Sequence, residues 1–194
     1  MSLRSALLAL MAAGPLTGYD AAKHFSGSVG NVWRASDSQI YPQLRRMERD
    51  GVLSTRKAPW GPNGATKTEY LITDAGREEL RAWADQPVDY PPIRDPASLR
   101  TAYLEWAEPE AVLRHFQDHI EHFRGVQGQA QDQLDQIGSG QHPTLLRRTS
   151  ALGDRERERT VRFKQFAYEG IIARAQAEVE WAQDCLRELE GRAD

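Results

Sequence analysis

The stretch "SDSQIYPQLRRMERDG", Ser36–Gly51, decides how this chain is read. Ser36 with Gln39 three residues on has the form of a helix-starting capping box, and Gly51 suits the position just past a helix end. Ile40, Leu44 and Met47 recur four and three residues apart, which gives the helix one buried face. With those three inward, Gln39, Gln43, Arg46 and Asp50 are expected on the other side, flanked by Arg45 and Arg49. Pro42 leaves a choice open. A helix that effectively begins near Ser38 keeps the proline in or just past the first turn, where few amides have partners. A helix capped by Ser36 loses a hydrogen bond at Pro42 and should kink there.

Working outward, Leu3 to Ala13 reads as a short apolar helix stopped by Gly14-Pro15. This run also has the composition of a signal peptide, but it is short for one and leads into a capped helix, which favours a structural role. Thr17 is expected to cap the second helix, with Asp20 in its first turn and an apolar face of Tyr19, Ala22, Phe25 and Val29. After the Ser36 helix, "GVLSTRKA" and "KTEYLIT" read as two strands around the turn-rich loop "PWGPNGAT". "TDAGREELRAWA" is a fourth helix, capped by Thr73 or Asp74.

Three helices followed by a β-hairpin make a winged helix-turn-helix, whose third helix lies in the DNA major groove. Glutamine can pair with the edge of adenine and arginine with guanine, which makes the polar face of this helix a base-reading surface. The wing adds Arg56, Lys57 and Lys67 around a loop with Asn63, cations suited to phosphates. The plainer reading of the arginines is a solvated helix face. Order and charge together favour DNA, and a winged helix that binds protein instead is the rival.

Composition constrains the rest. The chain has 194 residues and a net charge of −3, with 40% hydrophobic and 27% charged residues, ordinary for a water-soluble helical protein. The charge is uneven: Met1–Asp85 holds 11 basic and 9 acidic residues, and the remainder 14 and 19. Cys185 is the single cysteine, which excludes an internal disulfide and fits the reducing cytoplasm. No run is apolar enough to span a membrane.

"DQPVDYPPIRDP" carries four prolines in twelve residues and marks a linker. The expected organisation is a winged helix over residues 1–88, a linker at 89–97 and an antiparallel helical dimerisation domain over 98–194, mainly α with one small hairpin. In the helical part, Leu99, Tyr103 and Trp106 share a face. Phe116, Ile120, Phe123, Gln127, Ala130, Leu134 and Ile137 form one heptad seam, stopped by "GSGQHP". Tyr168, Ile172, Ala175, Val179, Ala182, Leu186 and Leu189 form a second, which is expected to cross between two chains. The alternative is a hairpin closed within one chain.

Other patterns carry less. His115, His119 and His122 with Asp118 line one side of a helix, a spacing that suits a transition metal or a packed strip equally. Neither a metal nor another cofactor is expected, and a metal-responsive sensor is the further alternative. "GDRERERTVRFK" alternates charge, as a helix face held by ion pairs does. No nucleophile–base pair, phosphate loop or paired-carboxylate motif stands out, which argues against an enzyme. Of the five tryptophans, Trp83 and Trp106 lie near the linker and are the candidates for stacking on a planar effector.

Three segments resemble the PadR family of transcriptional regulators: "GPLTGYDAAKHF", "SDSQIYPQLRRMERDGVL" and "TEYLITDAGREELRAW". The Gly18-Tyr19 pair, the Ile-Tyr-Pro-x-Leu run from Ile40 to Leu44 and the Tyr-x-Ile-Thr-x-x-Gly stretch from Tyr70 to Gly76 carry the resemblance, of which the second is the most specific. The close match spans about the first 85 residues, and the tail resembles the longer-tailed branch in length and pattern. The resemblance implies a homodimer on a pseudo-palindromic double-stranded operator, repression, and release by a small-molecule effector. It places Tyr19 and the polar residues around Ser38, Tyr41 and Arg45 near DNA. The full candidate DNA set is then Tyr19, Ser36, Ser38, Gln39, Tyr41, Gln43, Arg45, Arg46 and Arg49, with Arg56, Lys57 and Lys67 on the wing.

Overall fold

The computed structural model describes residues 3–29, 35–61, 64–90, 92 and 94–191. It forms two compact units, one of Met1–Tyr90 with Pro143–Asp154 and one of Pro91–His142 with Arg155–Asp194. Among the described residues no helix is long and apolar enough to cross a membrane.

The first unit begins with α1 (Leu3–Met11), whose Leu7, Leu8 and Met11 are fully buried. The run that imitates a signal peptide is thus core. A two-residue strand, β1 (Leu16–Thr17), precedes α2 (Gly18–His24), which widens into a π-helical turn over Phe25–Val29. Thr17 Oγ1 accepts the Asp20 N–H at 3.0 Å, the expected cap. Tyr19 departs from expectation: it is 69% exposed and not on the apolar face of α2, which is carried by Ala21, Ala22 and Phe25. The side chain of Val29, like Trp33 and Asn63, lies outside the described residues.

The helix that follows, α3 (Asp37–Arg49), is capped at Ser36, and this settles the question of Pro42. Gln39 Oε1 accepts the Ser36 backbone N–H at 3.1 Å, while Ser36 Oγ bonds Ser38 Oγ at 2.7 Å. Pro42 therefore lies inside the helix. The carbonyl it leaves without an intrahelical donor belongs to Ser38. Both residues are exposed, so water can serve that carbonyl and the helix continues to Arg49.

Next come β2 (Leu53–Pro59) and β3 (Thr66–Ile72), antiparallel, with Arg56 opposite Glu69 and Lys57 opposite Thr68. β1 pairs with the other edge of β3, giving the order β1-β3-β2, so the expected hairpin is a three-stranded sheet. α4 (Asp74–Asp85) is capped by Thr73, whose Oγ1 accepts the Gly76 N–H at 3.1 Å and donates to the Gly51 carbonyl at 2.8 Å.

The core of this unit joins α1, Leu16, α2, α3, Val52 and Leu53, and Ile40, Leu44 and Met47 are each wholly buried in it. Arg4 ties the outside, donating to Glu79 on α4 (Nη2–Oε2 2.9 Å) and to Asp50 at the end of α3.

The segment after "GSGQHP" forms α7 (Pro143–Thr149), which belongs to this first unit rather than to the helical domain where the sequence reading placed it. Arg147 donates to the carbonyls of Leu10 (3.2 Å), Gly14 (2.5 Å) and Pro15 (2.9 Å), covering the end of α1. Thr144 Oγ1 bonds His24 Nδ1 at 3.2 Å.

The second unit contains α5 (Pro96–Thr101), a 3-10 turn (Leu104–Trp106), α6 (Pro109–Gly138) and α8 (Asp154–Glu190, from Arg155 on). α6 and α8 run antiparallel: His119, Gln127 and Gln133 bond Glu178, Gln176 and Tyr168, so partners descend along α8 as α6 ascends. Phe116 and Ile120 pack with Val179 and Ala182.

The expectation that the Tyr168–Leu189 seam crosses between chains is corrected for four of its members. Tyr168, Ala175, Val179 and Ala182 are already buried within the chain, at 0 to 6% exposure, and have no surface left for a partner. Ile172 and Leu186 are half-buried and Leu189 is exposed.

Gly76 offers a direct check of the packing between sheet and α4. A Cβ there would sit 2.3 Å from the Val52 carbonyl oxygen, which itself accepts the Thr73 N–H at 3.1 Å. Gly76→Ala is expected to destabilise the first unit by roughly 1–3 kcal/mol through overpacking against backbone. Thermal unfolding checks this; a melting temperature equal to wild type would contradict it.

Candidate nucleic-acid interface

With Ile40, Leu44 and Met47 buried, the orientation of α3 is fixed and its outer face follows from helix geometry. Ser38, Pro42, Arg45 and Arg49 are exposed along its centre, with Arg46 and Gln39 on one flank and Tyr41 on the other. Two residues from the sequence reading move. Gln43 is half-buried, because three residues past Ile40 lies only about 60° from it around a helix of about 3.6 residues per turn. Asp50 is held by Arg4 and stands beyond the helix as its C-cap. The outward surface is therefore more cationic than the sequence reading gave, built on arginines and serines rather than glutamines.

Tyr41 is 36% exposed and its ring lies over α2: a Cβ on Gly18 would come within 2.6 Å of Tyr41 Cε1. This explains why Gly18 and Tyr41 belong to one pattern. The absent side chain of Gly18 lets the ring settle against the start of α2, and the ring edge remains available to a ligand. Tyr19 beside it projects into solvent.

The wing cations are engaged rather than free. Arg56 Nε and Nη2 both lie 3.0 Å from Glu69 Oε2, and Lys67 Nζ lies 3.3 Å from Oε1. The Arg56 guanidinium, followed by Lys67, holds the Glu69 carboxyl below the usual carboxylate range. Lys57 Nζ donates to its cross-strand neighbour Thr68 at 2.8 Å. One carboxylate thus offsets part of the charge of two cations. Glu69 was no part of the sequence reading, although the cross-strand register of the hairpin, had it been worked out, would have exposed it.

Outside this face stand the two effector candidates. Trp83 is on α4 in the first unit, whereas Trp106 lines a cleft in the second. The histidine strip is likewise committed to local contacts. His115 Nε2 bonds Thr101 Oγ1 at 2.9 Å, His119 Nε2 bonds Glu178 Oε2 at 3.1 Å, and His122 lies edge-on to Phe123. Among the described residues no three His, Cys, Asp or Glu side chains gather closely enough to hold a metal ion.

Two family models match the chain: the transcriptional regulator PadR-like family over residues 7–82, and the virulence activator alpha C-terminal domain over residues 93–190. The chain belongs to the PadR-like family of transcriptional regulators. Within that family it carries the longer helical C-terminal domain.

The negative transcriptional regulator PadR of Bacillus subtilis is 30% identical over 121 residues, 61% of this chain and 65% of that protein. A probable transcriptional regulator of Mycobacterium tuberculosis is 36% identical over 89 residues, 45% of this chain and 46% of that protein. The chain thus spans under two thirds of one curated relative and under half of the other. Among solved structures, the Vibrio cholerae virulence activator AphA superposes with a TM-score of 0.69 at 26% identity, covering 98% of this chain and 99% of that one. Bacillus subtilis PadR in complex with operator DNA gives 0.74 at 22% identity, covering 96% and 98%. The same protein in complex with p-coumaric acid gives 0.73 at 22% identity, covering 97% and 95%. At 22% identity these last two show a shared fold.

The geometry yields two expectations for DNA. Arg45→Ala and Arg49→Ala should each lower the ratio of specific to non-specific affinity by roughly tenfold, as loss of a base contact costs about 1–3 kcal/mol, whereas Gln43→Ala should leave that ratio nearly unchanged. Glu69→Gln should raise non-specific affinity and steepen the slope of log affinity against log salt, since it releases Arg56 and Lys67 for phosphates. Fluorescence anisotropy across a salt series checks both. A Gln43→Ala effect larger than that of Arg45→Ala, or an unchanged slope in Glu69→Gln, would contradict them.

Proposed function

We propose that this protein is a homodimeric, sequence-specific DNA-binding regulator acting in the cytoplasm, a repressor that a small-molecule effector releases from a pseudo-palindromic operator. The observation that carries the reading is the outer face of α3: a row of exposed Ser38, Arg45 and Arg49, flanked by Arg46 and Gln39, on a helix fixed by three wholly buried residues. Such a face fits a major groove, with arginine forks available to guanine edges and to phosphates. Its work is binding, not catalysis. Membership of a family of transcriptional regulators favours DNA over the protein-binding rival.

Dimerisation is proposed through a surface other than the closed seam. Phe163 (58% exposed) and Phe166 (50% exposed) stand one helical turn apart on α8, their rings 6.3 Å apart, with Arg159 and Arg162 over them at 5.4 and 4.0 Å. Paired exposed phenyl rings on a helix that already buries its opposite side are suited to a second copy of the chain. Operator release by an effector is supported by the precedent of the Bacillus subtilis relative, whose structures hold operator DNA in one case and p-coumaric acid in another.

Selective loss of the dimer tests this surface. Phe166→Asp should convert the protein to monomers and weaken operator binding by roughly a hundredfold or more, because two half-sites no longer bind as one unit. Tyr168→Phe, two residues on but facing inward, should keep the dimer. Sedimentation velocity with operator anisotropy checks both variants. A wild type that is monomeric at micromolar concentration, or a dimeric Phe166→Asp, would overturn the assignment. Deletion of the gene should raise transcription next to the bound site; a fall would reverse the sign of regulation.

A further inference from the structure

The tip of the wing is built unlike its stem. Arg56, Lys57 and Lys67 carry charge on the stem, but from Ala58 to Thr66 the sequence has no charged residue. The largest side chain of that stretch is the indole of Trp60, which is 64% exposed.

Trp60 continues the ladder of β2 and β3. Its N–H donates to the Ala65 carbonyl at 2.7 Å, one pair beyond Pro59 and Thr66. Side chains alternate along a strand, so Trp60 shares a face with Arg56 and Ala58 on β2 and with Lys67 and Glu69 on β3. The bonded pair at Trp60 leaves Pro59 at a non-bonded position, where its missing N–H costs the ladder nothing. The fixed φ of Pro59 stiffens the segment that carries the indole. The backbone neighbours are small: Ala65 stands opposite, and Gly61 (φ 75°) and Gly64 (φ 69°) turn the chain in the left-handed region. Among the described residues the indole takes part in no aromatic or cation–π pair.

A tip without charge has little to offer phosphates, yet the hairpin of a winged helix lies along the duplex. Trp60 is two residues beyond Ala58, the partner of Lys67, which is about 7 Å along the strand. The minor groove is about 6 Å wide. With Arg56 and Lys67 on the phosphates of one strand, the indole reaches over the groove beside it. Apolar side chains in that groove act as wedges between bases, and pyrimidine–purine steps open most readily.

We propose that Trp60 is such a wedge: its indole enters the minor groove about half a helical turn from the bases under α3 and partly unstacks a pyrimidine–purine step there. This rests on the DNA-binding reading above and adds to it a second, shape-based specificity at a position that the wing cations do not read.

The test is selection from a random duplex pool by the purified wild type, Trp60→Ala and Trp60→Phe, followed by affinity measurements on a fragment that the wild type recovers. The wild type should enrich a TA or CA/TG step beside the core bases. Trp60→Ala should recover the same core without that step, and Trp60→Phe should keep part of the enrichment. Replacing the step by AA, which is stiffer, should cost the wild type roughly tenfold and Trp60→Ala under about twofold. The slope of log affinity against log salt should stay at the wild-type value in Trp60→Ala, since an indole displaces no counterion. A wild-type core without such a step, a step enriched equally by Trp60→Ala, an AA penalty that the substitution leaves intact, or a flatter salt slope would overturn the wedge while the DNA-binding reading stands. Loss of the core bases in both variants would also overturn it, since Trp60 would then be placing α3. No common sequence from the wild type would overturn the DNA-binding reading itself, and the wedge with it.

Discussion

The burial of Ile40, Leu44 and Met47 is the constraint on which the rest depends. All three are wholly inaccessible, packed with α1, α2 and the Val52–Leu53 corner. Each contributes on the order of 1.5–3 kcal/mol, so the rotation of α3 about its axis is set by several kcal/mol in total. That rotation decides which side chains α3 presents on its outer face, the face proposed to meet DNA. It turns Arg45 and Arg49 outward, draws Gln43 half inside, and leaves Pro42 on the solvent side where its missing hydrogen bond is cheap. Arg4 and Thr73 reinforce the same arrangement from outside, the first tying the end of α3 to α4 and the second fastening α4 beneath Gly51.

A chain of net charge −3 can still present a cationic face, because location rather than sum governs the local field. The row on α3 is unopposed along its centre. On the wing, Glu69 moderates Arg56 and Lys67, so a phosphate placed there would have to displace an existing ion pair. On the proposed reading, this arrangement would limit binding to arbitrary DNA and leave more of the discrimination to α3.

What was legible in the sequence was local. The caps at Thr17, Ser36 and Thr73, the stripe in α3, the hairpin and the paired long helices all follow from spacings of a few residues, and the winged-helix order with them. The misses required long-range information. β1 has two residues, too few to show a period, and exists because Leu16 and Thr17 pair with Tyr70 and Glu69. α7 is recognisable only through Arg147, which bonds carbonyls more than a hundred residues earlier. The heptad seam of α8 was read correctly as a seam, but a repeat cannot say whether its partner is the same chain or another; Val179 and Ala182 close on Phe116 and Ile120 of the same chain. Tyr19 sat at an apolar-looking position and faces solvent, the buried side of α2 being taken by Ala21 and Ala22.

The central claim is that a fixed α3 reads base edges, twice, in a symmetric complex. Selection of bound fragments from a random DNA pool by the purified wild-type protein tests it most directly. The account requires one enriched inverted repeat whose arms lie on the same face of the duplex, about one helical turn or a multiple of it apart. Recovery of DNA with no common sequence, or of a single unrepeated site, would contradict it.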